Sequence, residues 1–382
     1  MKRHLAISNA LAGRLVIVCG PGGVGKTTTS AALALAASVR GRKTLVCTID
    51  PSKRLRTSLG LARLTGTPQK VKGRLFAMRL DPKQTFDSLV KNHAATPEAR
   101  DRVLSNRFYR QISGHLAGTH EVMAMEGLMS VACDFDLIVL DTPPASSALA
   151  FLDAPKRVLD FVDGRILRYF LKPYFVAGRL ALEPKTLVGR SLLRILDGAV
   201  GLQFLQDLSE FFLAFEGLFE SFRKTANAMD ARLREEGTSF ILVTTPASSR
   251  VNEGAAFAEA LRARSLKATL VIANRVHPWA IEGAVRGRVE EAADGADVAD
   301  GPFEGRPRSN HRSLLTPEVF AELSALAKRE KARADLDVRQ LRQIGSKSGL
   351  TVITVPELPA DVHDLPALKI IAGWLSQGLA AS

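Results

Sequence analysis

The sequence predicts an α/β fold: a mainly parallel sheet flanked by helices, with an inserted α-helical subdomain. Three observations carry this. Short apolar runs alternate with segments of helical length along much of the 382 residues. The first of these runs leads straight into a glycine-rich loop and then a helix. Several runs end in an acidic residue, at the strand ends where open α/β sheets collect ligands.

The first strand is Leu15-Val16-Ile17-Val18-Cys19. GPGGVGKTT follows at residues 20–28 and satisfies G-x-x-x-x-G-K-[ST] with Gly20, Gly25, Lys26 and Thr27. Residues 28–39 are rich in Ala and Leu and read as a helix, so the motif has the strand–loop–helix context it needs. Glycines let successive N–H groups turn inward around a phosphate. The helix N-terminus adds partial positive charge. Lys26 would reach the β- and γ-phosphates, and the Thr27 hydroxyl would ligate Mg2+. Gly20, Gly22, Gly23, Val24, Gly25, Lys26, Thr27 and Thr28 are the expected phosphate-binding set. The plain alternative is a tight strand-to-helix turn that happens to be rich in glycine.

Residues 43–49 (KTLVCTI) form the next strand and end at Asp50-Pro51; residues 75–80 (LFAMRL) end at Asp81-Pro82. Residues 82–132 are helical, with polar interruptions near 94–97 and 114–119. Residues 135–141 (FDLIVLD) form a strand ending in Asp141. No strand is evident from 155 to 236. Strands resume at 239–244 and 268–273 with a helix between them, then at 350–355, and a closing helix starts near 365. Residues 286–312 are rich in Gly, Asp, Glu and Arg and are expected to be a mobile loop; 316–343 are helical and charged. The expected division is a nucleotide domain of 1–154 and 236–382 around a helical subdomain of 155–235.

Hydrolysis requires more than a phosphate loop. It needs a stabilised Mg2+ and a water aimed at the γ-phosphorus. Asp141 opens DTPP at the end of an apolar strand, the form expected of a carboxylate beside Mg2+. Asp50, in TIDPS, is placed to orient the attacking water; its plain alternative is a turn residue before Pro51.

Composition narrows the class. No apolar stretch reaches the roughly 20 residues of a membrane-spanning helix. The basic N-terminus runs directly into the P-loop strand, so it is not read as a signal peptide and the chain is expected to be cytoplasmic. The three cysteines, Cys19, Cys47 and Cys133, are widely spaced, with no C-x-x-C to support a zinc site. The seven histidines show no ligand spacing; His115 and His120 are the closest pair, and their spacing places them on different helix faces. The net charge of +13 fits an acidic partner, whether anionic lipid, nucleic acid or protein, but the basic residues are spread rather than clustered.

GPGGVGKTTTS, TIDPS, DTPP and Asn274 in VIANRV together resemble the ArsA/Get group of P-loop ATPases, within the class that includes MinD, ParA and the nitrogenase iron protein. AGTHEVMAMEGL (117–128) and DTPPASSALAFLDAPKRVLDF (141–161) are similar to the bacterial ArsA-related subgroup. The resemblance implies ATP and Mg2+ as ligands. It implies Asp50 as the water-activating residue of a first switch, Asp141 at the start of a second, and Asn274 as a hydrogen-bond partner of adenine. It also implies a homodimer that closes around ATP and opens after hydrolysis, and a hydrophobic or membrane-protein client.

Three departures stand out. The family's P-loop usually begins GKGGVGKT, with a first lysine that reaches the partner's phosphates across the dimer. Pro21 occupies that position here and has no donor. Lys53 and Arg54 are the nearest candidate substitutes in sequence. The cysteines that bind arsenite, and the pair that bridges a dimer through zinc, have no counterpart, so neither site is expected.

The insertion carries a Phe-rich stripe at helical spacing, including Phe204, Leu208, Phe211, Phe215 and Phe222, and a second apolar cluster from Leu159 to Phe175. A packed helical layer explains both; a groove for a client helix is the functional alternative. Met229 stands nearly alone there, whereas an adaptable groove favours methionine. Three function classes remain: an ATP-hydrolysing switch, a nucleotide-binding regulator of slow turnover (supported by Pro21), and a partitioning ATPase acting on DNA or lipid, for which no C-terminal amphipathic helix with a basic face is evident. Peripheral attachment to a membrane is compatible with the first and third.

Overall fold

β1 (Leu15–Cys19) lies inside the sheet of a computed structural model that describes residues 2–50, 52–93, 96–106, 119–163, 219–281 and 317–376. The strands that follow are β2 (Thr44–Thr48), β3 (Gln69–Lys72), β4 (Leu75–Arg79), β5 (Leu137–Asp141), β6 (Thr238–Thr244), β7 (Ala268–Val276) and β8 (Val352–Pro356). Their order is β3-β4-β2-β5-β1-β6-β7-β8. Every neighbouring pair is parallel except β3 with β4. The expected fold class is therefore the one observed.

All five residues of β1, β2 and β5 are buried. Their apolar runs reflect a parallel sheet covered on both faces. Alternate residues supply two separate cores. Leu15, Ile17 and Cys19 face one, and Val16 and Val18 face the other. The second core is closed by α1 (Lys2–Ala12), α2 (Lys26–Val39) and the final helix, residues Leu365–Ser376. α2 is buried at ten positions, five of them alanine, because small side chains let it pack between the sheet and the final helix. The first core is closed by α4 (Pro82–His93), α6 (Thr119–Met129), α7 (Ala145–Asp163), α8 (Phe219–Arg234) and α9 (Ser248–Ala263). Two shorter helices precede or sit among these, α3 (Arg54–Ser58) and α5 (Pro97–Ser105), and α10 (Pro317–Ser348) covers the β7–β8 edge. The Leu365–Ser376 helix is α11.

The sequence left α1, α3 and β3 unassigned. β3 alternates half-buried and exposed residues, QKVK, and its lysines suit a strand at the edge of a sheet. β1 has the expected bounds, and the other strand ends lie within three residues of expectation, differing most at β7, which runs to Val276 rather than stopping at 273.

The residue-155 boundary falls inside α7, which continues through Pro155 without a break. At the other end of the insertion, Ala226, Met229 and Leu233 of α8 join Phe151 and Leu152 of α7 in the main core. Both described ends of the helical segment are thus packed onto the body. The Phe204–Phe215 part of the aromatic stripe, the cluster beyond residue 163, His115 and the 286–312 segment lie outside the described residues.

Met229 is fully buried against this core. Met229→Ala is expected to lower unfolding stability by about 2–4 kcal/mol in the principal denaturant transition. An unmoved principal transition would show that the α8 segment unfolds separately from the sheet.

Candidate functional site: a phosphate loop facing two strand-end carboxylates

The site forms where β1, β5 and β2 end side by side. β5 lies between the other two, and pairing sets Asp141 level with both Val18 and Thr48. The loop after β1, Asp141, and the loop after β2 therefore converge on one rim of the sheet, where the chain order changes direction.

Between β1 and α2 the chain turns through three glycines with positive φ: Gly20 (143°), Gly23 (76°) and Gly25 (90°). At two of them a side chain is also excluded by space. A Cβ on Gly20 would lie 2.1 Å from the Val243 carbonyl oxygen, and one on Gly25 would lie 2.2 Å from Asn274 Nδ2. A Cβ on Gly23 would meet nothing within 4 Å and one on Gly22 only the Pro144 ring at 3.9 Å, leaving room for a ligand at the mouth of α2.

Lys26 is buried, and its ammonium donates to the Gly20 carbonyl at 3.0 Å and the Pro21 carbonyl at 2.8 Å. Burial pulls its pKa down from the usual lysine value; Asp141 and Cys19 oppose this, Arg54 adds to it, and Asp50 opposes it again. The lysine thus holds the loop closed on itself, with charge available to exchange carbonyl oxygens for phosphate oxygens.

Asp141 is 1% exposed. Its Oδ2 accepts hydrogen bonds from Thr27 Oγ1 at 2.8 Å and Thr48 Oγ1 at 3.0 Å. Its Oδ1 is buried and has no hydrogen-bond partner among the described residues. Burial drives the carboxyl up to about 6, against the lowering influence of the two hydroxyls and Lys26; Asp50 pushes in the same direction as burial. An unpartnered buried carboxylate oxygen beside a P-loop hydroxyl suits a divalent cation, whose charge would offset the desolvation. The donor set, Thr27 and Asp141, is all oxygen and fits Mg2+.

A cleft of about 590 Å³ opens over the loop. Asp50 lines it with Lys26, Thr27 and Thr28, and so do Lys53 and Arg54. Asp50 Oδ1 accepts the Ser52 N–H at 2.8 Å, which curls the start of this loop. Gly22, Gly23, Gly25, Lys26, Thr27, Thr28 and Asp50 therefore share one space, while Asp141 is buried outside the cleft lining and joined to it through Thr27. Asn274 sits differently: it is buried beneath the loop, and its Nδ2 donates to the Val24 carbonyl at 2.9 Å. It braces the P-loop from below, while its neighbour Arg275 lines the cleft in a left-handed conformation with φ 58°.

Sequence reasoning missed Arg275, Asp361 and His363, which also border the cleft. The last two belong to the loop after β8, a strand-end loop on the same rim, so the rule that ligands gather at strand ends would have flagged them. It also missed Thr48, whose burial in a strand hides its role.

The strand–glycine loop–helix unit on this sheet defines a P-loop nucleotide-binding protein. A family model described as anion-transporting ATPase matches residues 13–286, and the chain belongs to that family. Among relatives, an uncharacterized protein of Streptomyces coelicolor is 31% identical over 271 residues, covering 69% of this chain and 63% of that protein. ATPase ARSA2 of Chlamydomonas reinhardtii is 32% identical over 146 residues, covering 37% of this chain and 38% of its own. An ATPase ASNA1 homolog of Dictyostelium discoideum is 31% identical over 144 residues, covering 37% and 41%. The matched region spans less than two thirds of each of these relatives. No helix among the described residues is long and apolar enough to cross a membrane.

Two outcomes test this geometry. The folded protein holds the Asp141 proton more tightly than the unfolded chain does. Between the ordinary value of 3.8 and about 6 the unfolded chain therefore binds fewer protons, and stability falls as pH rises through that window. The effect is worth roughly 2–4 kcal/mol. Asp141→Asn is expected to melt at a higher temperature than wild type near pH ~7 without nucleotide or Mg2+, with the gap closing near pH ~4; an equal or lower melting temperature at neutral pH would contradict the buried charge. Gly25→Ala forces a Cβ into Asn274 at a positive φ, and calorimetry should find ATP binding weakened at least ~100-fold, on the order of 3 kcal/mol.

Proposed function

We propose that this chain is a Mg2+-dependent ATPase whose nucleotide cycle moves the loops after β2 and β5. The Asp141 carboxylate carries the proposal. One of its oxygens is held by the P-loop and β2 hydroxyls, and the other is buried, unpartnered and beside the phosphate loop. In the proposed cycle the backbone N–H groups of 22–28 take the phosphates, and Lys26 moves its hydrogen bonds from the Gly20 and Pro21 carbonyls to the β- and γ-phosphate oxygens. Thr27 and Asp141 would hold Mg2+, which neutralises charge building on the phosphates. Asp50 accepts a hydrogen bond from the attacking water and orients it in line with the γ-phosphorus; phosphate leaves with that water's oxygen, and ADP remains. Loss of the γ-phosphate then removes the partner of both loops and lets them relax.

The family resemblance offers Asn274 as a hydrogen-bond partner of adenine; its Nδ2 already donates to the Val24 carbonyl, which supports a role through the loop it braces. The helical segment 155–235 is the candidate surface for a hydrophobic or membrane-protein client, and a homodimer is the expected assembly; family membership supports both. A second reading, a regulator that binds nucleotide and turns it over slowly, is favoured by Pro21, whose position brings no cation to the loop.

Asp50→Asn separates binding from chemistry. It is expected to bind ATP within about threefold of wild type while turnover falls at least ~100-fold, in the range seen when a residue orienting the nucleophile is lost. Wild-type turnover in this variant, or no Mg2+-dependent ATP uptake by the unaltered protein in calorimetry, would sink the proposal. Affinity capture with the stalled variant then sorts the cycle's output: membrane proteins support client handling, and DNA supports partitioning.

Lys53 and Arg54 supply the cleft with cations from the chain's own β2 loop, and Arg54 lies close enough to influence Lys26. Arg54→Ala or Lys53→Ala is expected to lower turnover about tenfold with a smaller change in ATP affinity, the pattern of a charge felt mainly in the transition state. Unchanged turnover in both would show that neither replaces the missing P-loop lysine.

A further inference from the structure

Thr48 is the last residue of β2, 1% exposed, and its hydroxyl links the Asp141 carboxylate to the Asp50 backbone. It donates to Asp141 Oδ2 at 3.0 Å and accepts the Asp50 N–H at 3.2 Å. A hydroxyl has one proton, and here that proton is committed to Asp141, while one of the oxygen's two lone pairs accepts the Asp50 N–H. The bridge therefore has a direction: β5 carboxylate, β2 hydroxyl, then the first backbone group of the loop that carries the second carboxylate.

Sheet pairing makes the bridge rigid. Thr48 is level with Asp141 across a parallel pair, so the strands fix how far apart the two groups stand. Thr27 reaches the same Oδ2 from the opposite side, at 2.8 Å. Two donors on one oxygen set the rotation of the carboxylate and leave Oδ1 as the open oxygen. With Thr27 alone the carboxylate could turn about its Cβ–Cγ bond, and Oδ1 would lose its aim. Without Thr48 the Asp50 N–H would also lose its anchor, and the loop could shift relative to Asp141.

We propose that Thr48 is a positioning residue for ATP hydrolysis, registering the Asp50 loop against the Asp141 carboxylate through its single hydroxyl. This rests on the nucleotide-site reading above. Thr48 is not among the residues lining the cleft and acts through the two carboxylate residues. Its removal acts at two places: Asp141 presents its open oxygen to the divalent cation less well, and Asp50 aims the water less well.

Thr48→Val keeps the shape and removes both hydrogen bonds, whereas Thr48→Ser keeps the hydroxyl. The measurements are ATP turnover against Mg2+ concentration, calorimetric ATP binding with Mg2+ and with EDTA, and thermal melting. In the Val variant the half-activating Mg2+ concentration should rise about tenfold and kcat should fall about tenfold, as for other groups that orient a metal ligand from behind. Its ATP affinity in EDTA should stay within about twofold of wild type, and the gain in ATP affinity on adding Mg2+ should shrink. The Ser variant should recover most of each loss. In an Asp50→Asn background, Thr48→Val should cost little further kcat at saturating Mg2+, because the water-aiming group is already disabled, while the half-activating Mg2+ concentration should still rise. Thr48→Ala, which also lacks the hydroxyl, replaces the Val variant where the latter is unstable. Wild-type Mg2+ dependence and kcat in the Val or Ala variant, or a Ser variant as impaired as Val, would overturn the role of Thr48. Absence of Mg2+-dependent hydrolysis in the unaltered protein would overturn the nucleotide-site reading instead.

Discussion

The buried carboxylate of Asp141 is the constraint around which the site is arranged. A carboxylate withdrawn from water resists ionisation unless donors or a cation compensate. Here three elements meet that demand. α2 contributes Thr27, β2 contributes Thr48, and Lys26 contributes a nearby positive charge. The compensation is incomplete, because one oxygen has no partner among the described residues and the carboxyl stays raised to about 6. That residual demand is what makes the position receptive to a cation. The same group that weakens the free protein would strengthen a magnesium–nucleotide complex.

The sheet order makes this possible. β5 lies between β1 and β2, so its last residue is flanked by the phosphate loop on one side and the Asp50 loop on the other. Both faces of the sheet are packed, and Ile17 and Val18 point into different cores although they are adjacent. Slippage of β1 by one residue would exchange those faces, so register is strongly specified. The loops above the rim are less constrained. A switch needs a rigid frame carrying movable loops, and parallel strands buried on both sides provide the frame.

The loop itself shows a different compromise. Lys26 is satisfied in the absence of phosphate by two carbonyls of its own loop, one of them from Pro21. This avoids an unpaired buried ammonium, and the loop keeps its shape without ligand. Asn274 strengthens that preorganisation from beneath by holding the Val24 carbonyl. Family membership accounts for the loop, but Pro21 removes a cation from it. The cleft-lining Lys53 and Arg54 stand where the loop after β2 enters α3, so any charge they add comes from the end of the segment proposed to move with the cycle.

Much of this was legible in the sequence. The glycines, Lys26 and Thr27 form a contiguous motif, and a contiguous motif survives without knowledge of the fold. The strands around Asp50 and Asp141 were visible because buried parallel strands are apolar throughout, so a terminal carboxylate stands out. α1 and β3 were not visible. α1 has a weak apolar stripe near a basic terminus, and the four residues of β3 form a strand only through pairing with β4. The boundary at 155 was drawn at a proline that α7 in fact accommodates. What tertiary structure alone decided was proximity: that Thr48 and Asp141, 93 positions apart, share a hydrogen bond, and that Asn274 props a loop 250 positions away. Sequence determines local chemistry because neighbouring residues are joined by short covalent paths. Contacts across a sheet depend on strand order and register, which are set by the packing of both cores together and are written in no single segment.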